Sequence, residues 1–147
     1  MKSNLIKLTV ASGLLLGYMG AVSAHDVLNQ PIGATVGATD YFQVTCTTDG
    51  VATERLEVQV NDDTAGSSIL SLQVKKGLVA RNTTDPVGAN GVFSPLVTIN
   101  GGNGIYDVIV DKTTAAARQY DISFHCKSSA ANGNIHTGTA ISQKQNQ

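Results

Sequence analysis

Short runs of alternating apolar and polar residues occur along most of the chain, and this pattern indicates an all-β fold. No segment carries a sustained helical period, and clusters of Gly, Asn, Asp and Pro separate the runs. Because alternate residues of a strand face the same side of a sheet, each run predicts one inward-facing set. These sets are Phe42, Val44 and Cys46; Leu56, Val58 and Val60; Leu70, Leu72 and Val74; Tyr106, Val108 and Val110; and Tyr120, Ile122, Phe124 and Cys126.

Three further strands are predicted from weaker patterns. The first covers 32–38, the second lies around 96–99, and the last covers 135–142 before a polar tail at 143–147. Seven or eight short strands fit one domain built from two packed sheets. We therefore expect residues 25–147 to form a single immunoglobulin-like antiparallel β-sandwich.

Residues 1–24 have the features of a secretory signal peptide. Lys2 and Lys7 supply the positive start, an apolar stretch follows, and residues 22–24 (Val-Ser-Ala) give a small-x-small cleavage pattern. The apolar stretch is too short and too rich in glycine for a spanning helix. The sequence therefore predicts a periplasmic or extracellular protein whose mature chain begins at His25.

The mature chain retains two cysteines, Cys46 and Cys126. Export places them in an oxidising compartment, where a disulfide is the expected state. Only one pairing is available. Both cysteines are predicted to face inward, one on an early and one on a late strand, so the bridge should join the two sheets as it does in immunoglobulin-like domains.

Charge and composition argue against several classes of function. Removal of Lys2 and Lys7 changes the formal charge from −1 to −3, which disfavours binding to nucleic acid or to an anionic membrane. No phosphate-binding loop, dinucleotide motif or Ser-His-Asp arrangement is evident, so we expect no enzymatic activity. Both methionines, Met1 and Met19, lie in the signal peptide, so the mature chain has no thioether ligand for Cu(I).

The three histidines are the strongest candidates for a functional site. At a mature N-terminus, His25 would offer an amino nitrogen and an imidazole, a combination suited to Cu(II). His125 and His136 flank the turn signal Asn132-Gly133. If the flanking strands pair about the middle of that loop, His125 lies directly opposite His136 on the outward face, and Cys126 and Ile135 face inward. The predicted site therefore depends on this register.

The arrangement Ala24-His25-Asp26, with two histidines far along a sandwich, resembles the histidine-brace copper proteins, including the CopC-type periplasmic copper carriers. The resemblance implies that the amino and imidazole nitrogens of His25 bind Cu(II), and that His125 or His136 adds a further imidazole. Asp26 is a candidate carboxylate partner. The implied function is carriage or buffering of copper(II) outside the cytoplasm.

A different class of function also fits the composition. Strands rich in Thr, Asn and Gly with few charges are typical of structural or adhesive surface modules, which need no metal. In that case a protein partner, or a second copy of the chain, would pair with an edge strand, for which the predicted strand at 32–38 is the candidate.

Overall fold

The structure, a computed structural model, describes residues 25–147, and the predicted signal peptide and its cleavage site lie outside them. The described part is built from strands and contains no helix long and apolar enough to cross a membrane. One short 3₁₀ turn covers Ala130–Asn132. The strands are β1 (Asp26–Ile32), β2 (Thr39–Thr47), β3 (Arg55–Asp62), β4 (Leu70–Lys76), β5 (Val79–Asp85), β6 (Val97–Asn100), β7 (Gly104–Lys112), β8 (Arg118–Lys127) and β9 (Gly138–Gln145).

The strands form two antiparallel sheets that pack face to face. One sheet has the order β1-β8-β3-β6, and the other has the order β5-β4-β7-β2-β9. The predicted all-β sandwich is therefore confirmed. The described residues form nine strands rather than seven or eight, because 79–85 pairs with β4 as an additional strand.

The core lies between the sheets and consists of the predicted inward-facing sets together with Ile32, Ala38 and Ile99. Every residue in those sets is at most 1% exposed. The largest buried side chains are Tyr106, Tyr120, Phe42 and Phe124. The Cys46–Cys126 disulfide joins β2 to β8 and so connects the two sheets, as predicted. A disulfide fits export to an oxidising compartment.

The prediction of the first strand was wrong. Residues 33–38 form a loop, and Val36 is 59% exposed. Strand β1 lies earlier in the chain and pairs with β8, with an irregularity between Val27 and Gln30. Its burial alternates weakly because it is an edge strand whose register shifts. Pro31, which lacks a backbone N–H donor, is tolerated in such an edge strand. The edge strands are β1, β6, β5 and β9, so the predicted docking strand at 32–38 is not one of them.

The chain end also differs from expectation. Strand β9 continues through Gln145, three residues into the segment predicted as a polar tail, because it pairs along β2 in the five-stranded sheet. The backbone N–H of Gln147 donates a hydrogen bond to Asp40 Oδ1 at 3.0 Å.

The connection from β8 to β9 sets the position of one histidine. Only one bridge, Lys127 with His136, pairs the two sides of this loop before β9 crosses to the other sheet. The predicted register placed His125 opposite His136 and was wrong by two residues. Ile135, predicted to be inward, is 49% exposed. A shift of two residues preserves the face of each side chain, so His125 and His136 still lie on one side, diagonally related.

Candidate metal centre

All three histidines of the described chain meet at one end of the four-stranded sheet. The ring centroids lie 4.9 Å apart for His25 and His125, 4.5 Å for His25 and His136, and 4.7 Å for His125 and His136. One nitrogen from each ring can be chosen so that all three lie within 4.8 Å of one another. The structure thus brings together a group of three imidazoles that could hold a metal ion.

His25 is held in place by the β1–β8 ladder. Its carbonyl oxygen accepts a hydrogen bond of 2.7 Å from the backbone N–H of Phe124, and the next pair in the register is Asp26 with Ser123. Strand β1 begins at Asp26, one residue after His25, and pairs with β8, the strand that carries His125. The backbone ladder therefore fixes His25 beside β8.

His125 projects from the outward face of β8 beside Ser123, two residues earlier. The Ser123 hydroxyl lies 3.2 Å from His125 Nε2. When Nε2 carries the proton and donates to this hydroxyl, Nδ1 keeps its lone pair. In the structure Nδ1 of His125 is buried and has no hydrogen-bond partner. A hydrogen bond such as the one between Ser123 and His125 fixes the tautomer and the orientation of an imidazole that binds a metal.

The other two imidazoles touch each other. Nδ1 of His136 lies 3.2 Å from Nε2 of His25. The remaining nitrogen of His25, Nδ1, is buried without a partner, as in His125. A buried nitrogen with no partner costs free energy, and a bound cation would satisfy it. The donor set of the site therefore fits a metal ion that accepts imidazole nitrogen.

The site disfavours positive charge on His125 and His136. Burial, and then the nearby rings of His136 and His25, lower the pKa of His125. Burial and His25 also lower the pKa of His136. Lys127 lowers the pKa of both rings, whereas Asp26 raises that of His125 and Glu57 raises that of His136. The net lowering keeps these two imidazoles neutral, as metal ligands must be, at neutral pH.

In metal-free protein, His125 and His136 should titrate with midpoints below 6.5, the ordinary value for histidine. Since the unfolded chain then binds more protons than the folded chain, stability should fall as the pH drops from 6.5 through the folded-state midpoints. Proton NMR titration of the folded protein checks the midpoints, and the chain in urea is the reference. Midpoints at or above 6.5 in the folded protein would contradict this expectation.

Three neighbours of the site did not emerge from the sequence as part of it. Glu57 lies opposite His125 on β3, and Lys127 forms the bridge to His136. Lys127 Nζ and Glu57 Oε2 are 3.8 Å apart, which places a weak ion pair beside the rings. Ser123 is two residues from His125 on the same face, so the alternation of β8 alone could have identified it. Glu57 could not be found in this way, because the pairing of β3 with β8 is not encoded locally.

Asp26, the predicted carboxylate partner, is exposed and lies opposite Ser123. It does not belong to the group of close ligand atoms. It acts on the site through its charge, and its role as a ligand stays a prediction.

Comparison of the chain with protein-family models, with curated proteins and with solved structures gives no match.

Proposed function

We propose that this protein is an exported copper(II)-binding protein that carries or buffers the metal, with His25, His125 and His136 as its ligands. The observation that supports this most strongly is the convergence of all three histidines of the described chain on a space where their ligand atoms lie within 4.8 Å. These residues are separated by as much as 111 positions in sequence, so local proximity along the chain does not explain the cluster.

The donor set favours copper(II) over other metals. Cu(II) prefers a tetragonal set of nitrogen or oxygen ligands, and among divalent ions of the first transition row it binds such sites most tightly. Three imidazoles and the α-amino group of a chain beginning at His25 would provide four nitrogens. In such a brace the amino group and Nδ1 of His25 bind together, and Nδ1 is the nitrogen that is buried without a partner.

A binding role fits the surroundings of the site better than catalysis does. His136 is exposed, and the ion pair between Glu57 and Lys127 lies beside the rings. Two pockets of the described chain, one beside Arg118 and one beside Ile109, are not lined by any of the three histidines. The site therefore suits uptake and release of an ion.

Titration of the chain beginning at His25 with Cu(II), and separately with Zn(II), tests this proposal. We expect one equivalent of Cu(II) to bind, and to bind more tightly than Zn(II). Loss of a side chain that only hydrogen-bonds to a metal ligand lowers metal affinity roughly 10- to 100-fold. His125→Ala and His136→Ala remove ligands themselves, so each should lower the affinity for Cu(II) by more than that. Ser123→Ala should weaken it within that range.

Asn132→Ala is the matched control, because Asn132 is exposed in the same loop as His136 and its side chain makes no hydrogen bond within the described residues. It should leave the affinity unchanged. If the histidine variants bind Cu(II) as tightly as the control does, the three histidines are not the site.

A further inference from the structure

A second group of polar side chains lies on the same outward face as the histidines, further along the β3–β8 ladder. Asn61 on β3 is directly opposite Asp121 on β8, whereas His125 is opposite Glu57. Asp121 is therefore four residues from His125 along the strand, or roughly 13 Å. Asp63 follows the end of β3 and completes the group, which we call the Asp63 cluster (Asn61, Asp63 and Asp121).

The Asp63 cluster contains two buried oxygens that accept no hydrogen bond. They are Oδ1 of Asn61 and Oδ2 of Asp63. Asn61 is only 4% exposed. Its amide Nδ2 donates a hydrogen bond of 2.5 Å to the other carboxylate oxygen, Asp63 Oδ1, which holds the two side chains together. Buried acceptors are nearly always satisfied in folded proteins, so two in one small cluster indicate an additional partner.

No positive side chain neutralises this cluster within the part of the chain that the structure describes. The neighbouring Asp62 is paired with Arg118, whose Nη2 lies 2.5 Å from Asp62 Oδ2. Among residues 25–147, no Lys, Arg or His nitrogen lies within 4.0 Å of the carboxylates of Asp63 or Asp121. Burial, followed by the charge of Asp121, raises the pKa of Asp63 to about 6. At neutral pH the cluster is thus a partly buried pair of carboxylates without a counter-ion.

The third member, Asp121, is held in place by the irregular part of β1. The backbone N–H of Asn29 donates a hydrogen bond of 2.8 Å to Asp121 Oδ1. Asn29 has a φ of 55°, in the left-handed region, and lies where the β1–β8 register shifts. The side chain of Asp121 also lies beside Asp63, since the charge of Asp121 and a hydrogen bond between the two carboxyl groups both raise the pKa of Asp63.

We propose that Asn61 Oδ1, Asp63 Oδ2 and a carboxylate oxygen of Asp121 bind a calcium ion. All three ligands are oxygens, which Ca²⁺ prefers, and water can complete its six to eight ligands. Mg²⁺ suits the cluster less well, because it demands near-ideal octahedral geometry and gives up its water reluctantly. With three protein ligands the site should be weak, with a dissociation constant of about 10⁻⁴–10⁻³ M, as in extracellular calcium modules.

Calcium titration of chelator-treated, copper-free protein at pH 7.5 and constant ionic strength tests the proposal. Calorimetry should show one site of about this affinity, and the melting temperature should rise as Ca²⁺ exceeds the dissociation constant. Asp63→Asn and Asp121→Asn should each weaken Ca²⁺ binding about 10-fold or more. The matched control is Asp49→Asn, which removes the same charge from an exposed loop before β3 and should bind Ca²⁺ as the unmodified protein does.

A shared proton is the competing explanation of the cluster, and the same experiment separates the two. If 10 mM Ca²⁺ (roughly ten times the weakest affinity expected for such a site) gives no heat and no shift in melting temperature, the proposal fails. It also fails if Asp63→Asn retains the calcium effect. Asp63→Asn should fold, since it removes a repulsive charge, and in the absence of calcium it should be at least as stable as the unmodified protein. Titration of the unmodified protein decides the question even if a variant does not fold.

Discussion

A chain that carries one extra residue before His25 should have an affinity for Cu(II) at least about 100-fold lower than that of a chain that begins at His25. The extra residue converts the α-amino group into an amide, which removes a basic nitrogen and breaks the chelate that this nitrogen forms with Nδ1 of the same residue. Loss of an outer-shell contact costs about 10- to 100-fold in metal affinity, so loss of a direct ligand should cost at least the upper value. Competition titration against a chelator of known affinity measures the difference.

The geometry of the site allows two binding modes, and the comparison of the two chains distinguishes them. In the structure Nε2 of His25, rather than Nδ1, faces His136 at 3.2 Å. A site in which His25 binds through Nε2, together with the imidazoles of His125 and His136, would not need the amino group, and the extended chain would then bind Cu(II) as tightly as the other. Equal affinities would therefore exclude the brace but leave a three-histidine site. The melting temperatures of the two metal-free chains should agree, which controls for damage to β1.

The core was predictable from the sequence because burial follows the period of two along each strand. Phe42 on β2 and Phe124 on β8, for example, are each 1% exposed. Their neighbours alternate between buried and partly exposed positions along most of each strand. This signal is local, so it needs no knowledge of which strands are neighbours. The order of the strands within the sheets, and the transfer of β9 to the sheet of β2, depend on contacts between distant residues.

The histidine cluster was predicted by an argument that was right about the face and wrong about the register. The sequence Asn132-Gly133 suggested a tight hairpin centred on the loop. The loop instead forms a 3₁₀ turn at Ala130–Asn132, with Gly133 and Asn134 in the left-handed region. These residues move the pairing by two positions. Because a strand repeats every two residues, His136 kept its face and its proximity to His125.

The first strand shows where periodicity misleads. Residues 32–38 alternate between apolar residues and Gly or Thr, yet six of the seven lie outside any strand. Glycine contributes no side chain to pack, so alternation with glycine carries little information about burial. The observed first strand, β1, pairs with a neighbour on one edge only, and its register shifts partway along. Its burial pattern therefore has no clear period.

Removal of the Cys46–Cys126 disulfide should lower the free energy of unfolding by about 4 kcal/mol. The bridge closes a loop with a sequence separation of 80 residues, and the chain-entropy estimate for a loop of this length is about 4 kcal/mol. Since domains of this kind are stable by about 5–15 kcal/mol, this is a large share of the total. Urea denaturation of the Cys46→Ala/Cys126→Ala variant, compared with the oxidised protein, measures the loss.

The same variant tests whether the disulfide also shapes the histidine site, since Cys126 adjoins His125 in sequence. The β1–β8 ladder and the Lys127–His136 bridge fix the three histidines through backbone hydrogen bonds, independently of the disulfide. We therefore expect the folded variant to keep its Cu(II) affinity within about 10-fold, and Cu(II) to raise its melting temperature by mass action. If removal of both cysteines lowers the free energy of unfolding by less than about 1 kcal/mol, the two sheets hold together without the disulfide.

If the folded variant no longer binds Cu(II), the disulfide, rather than the β1–β8 ladder, positions His125.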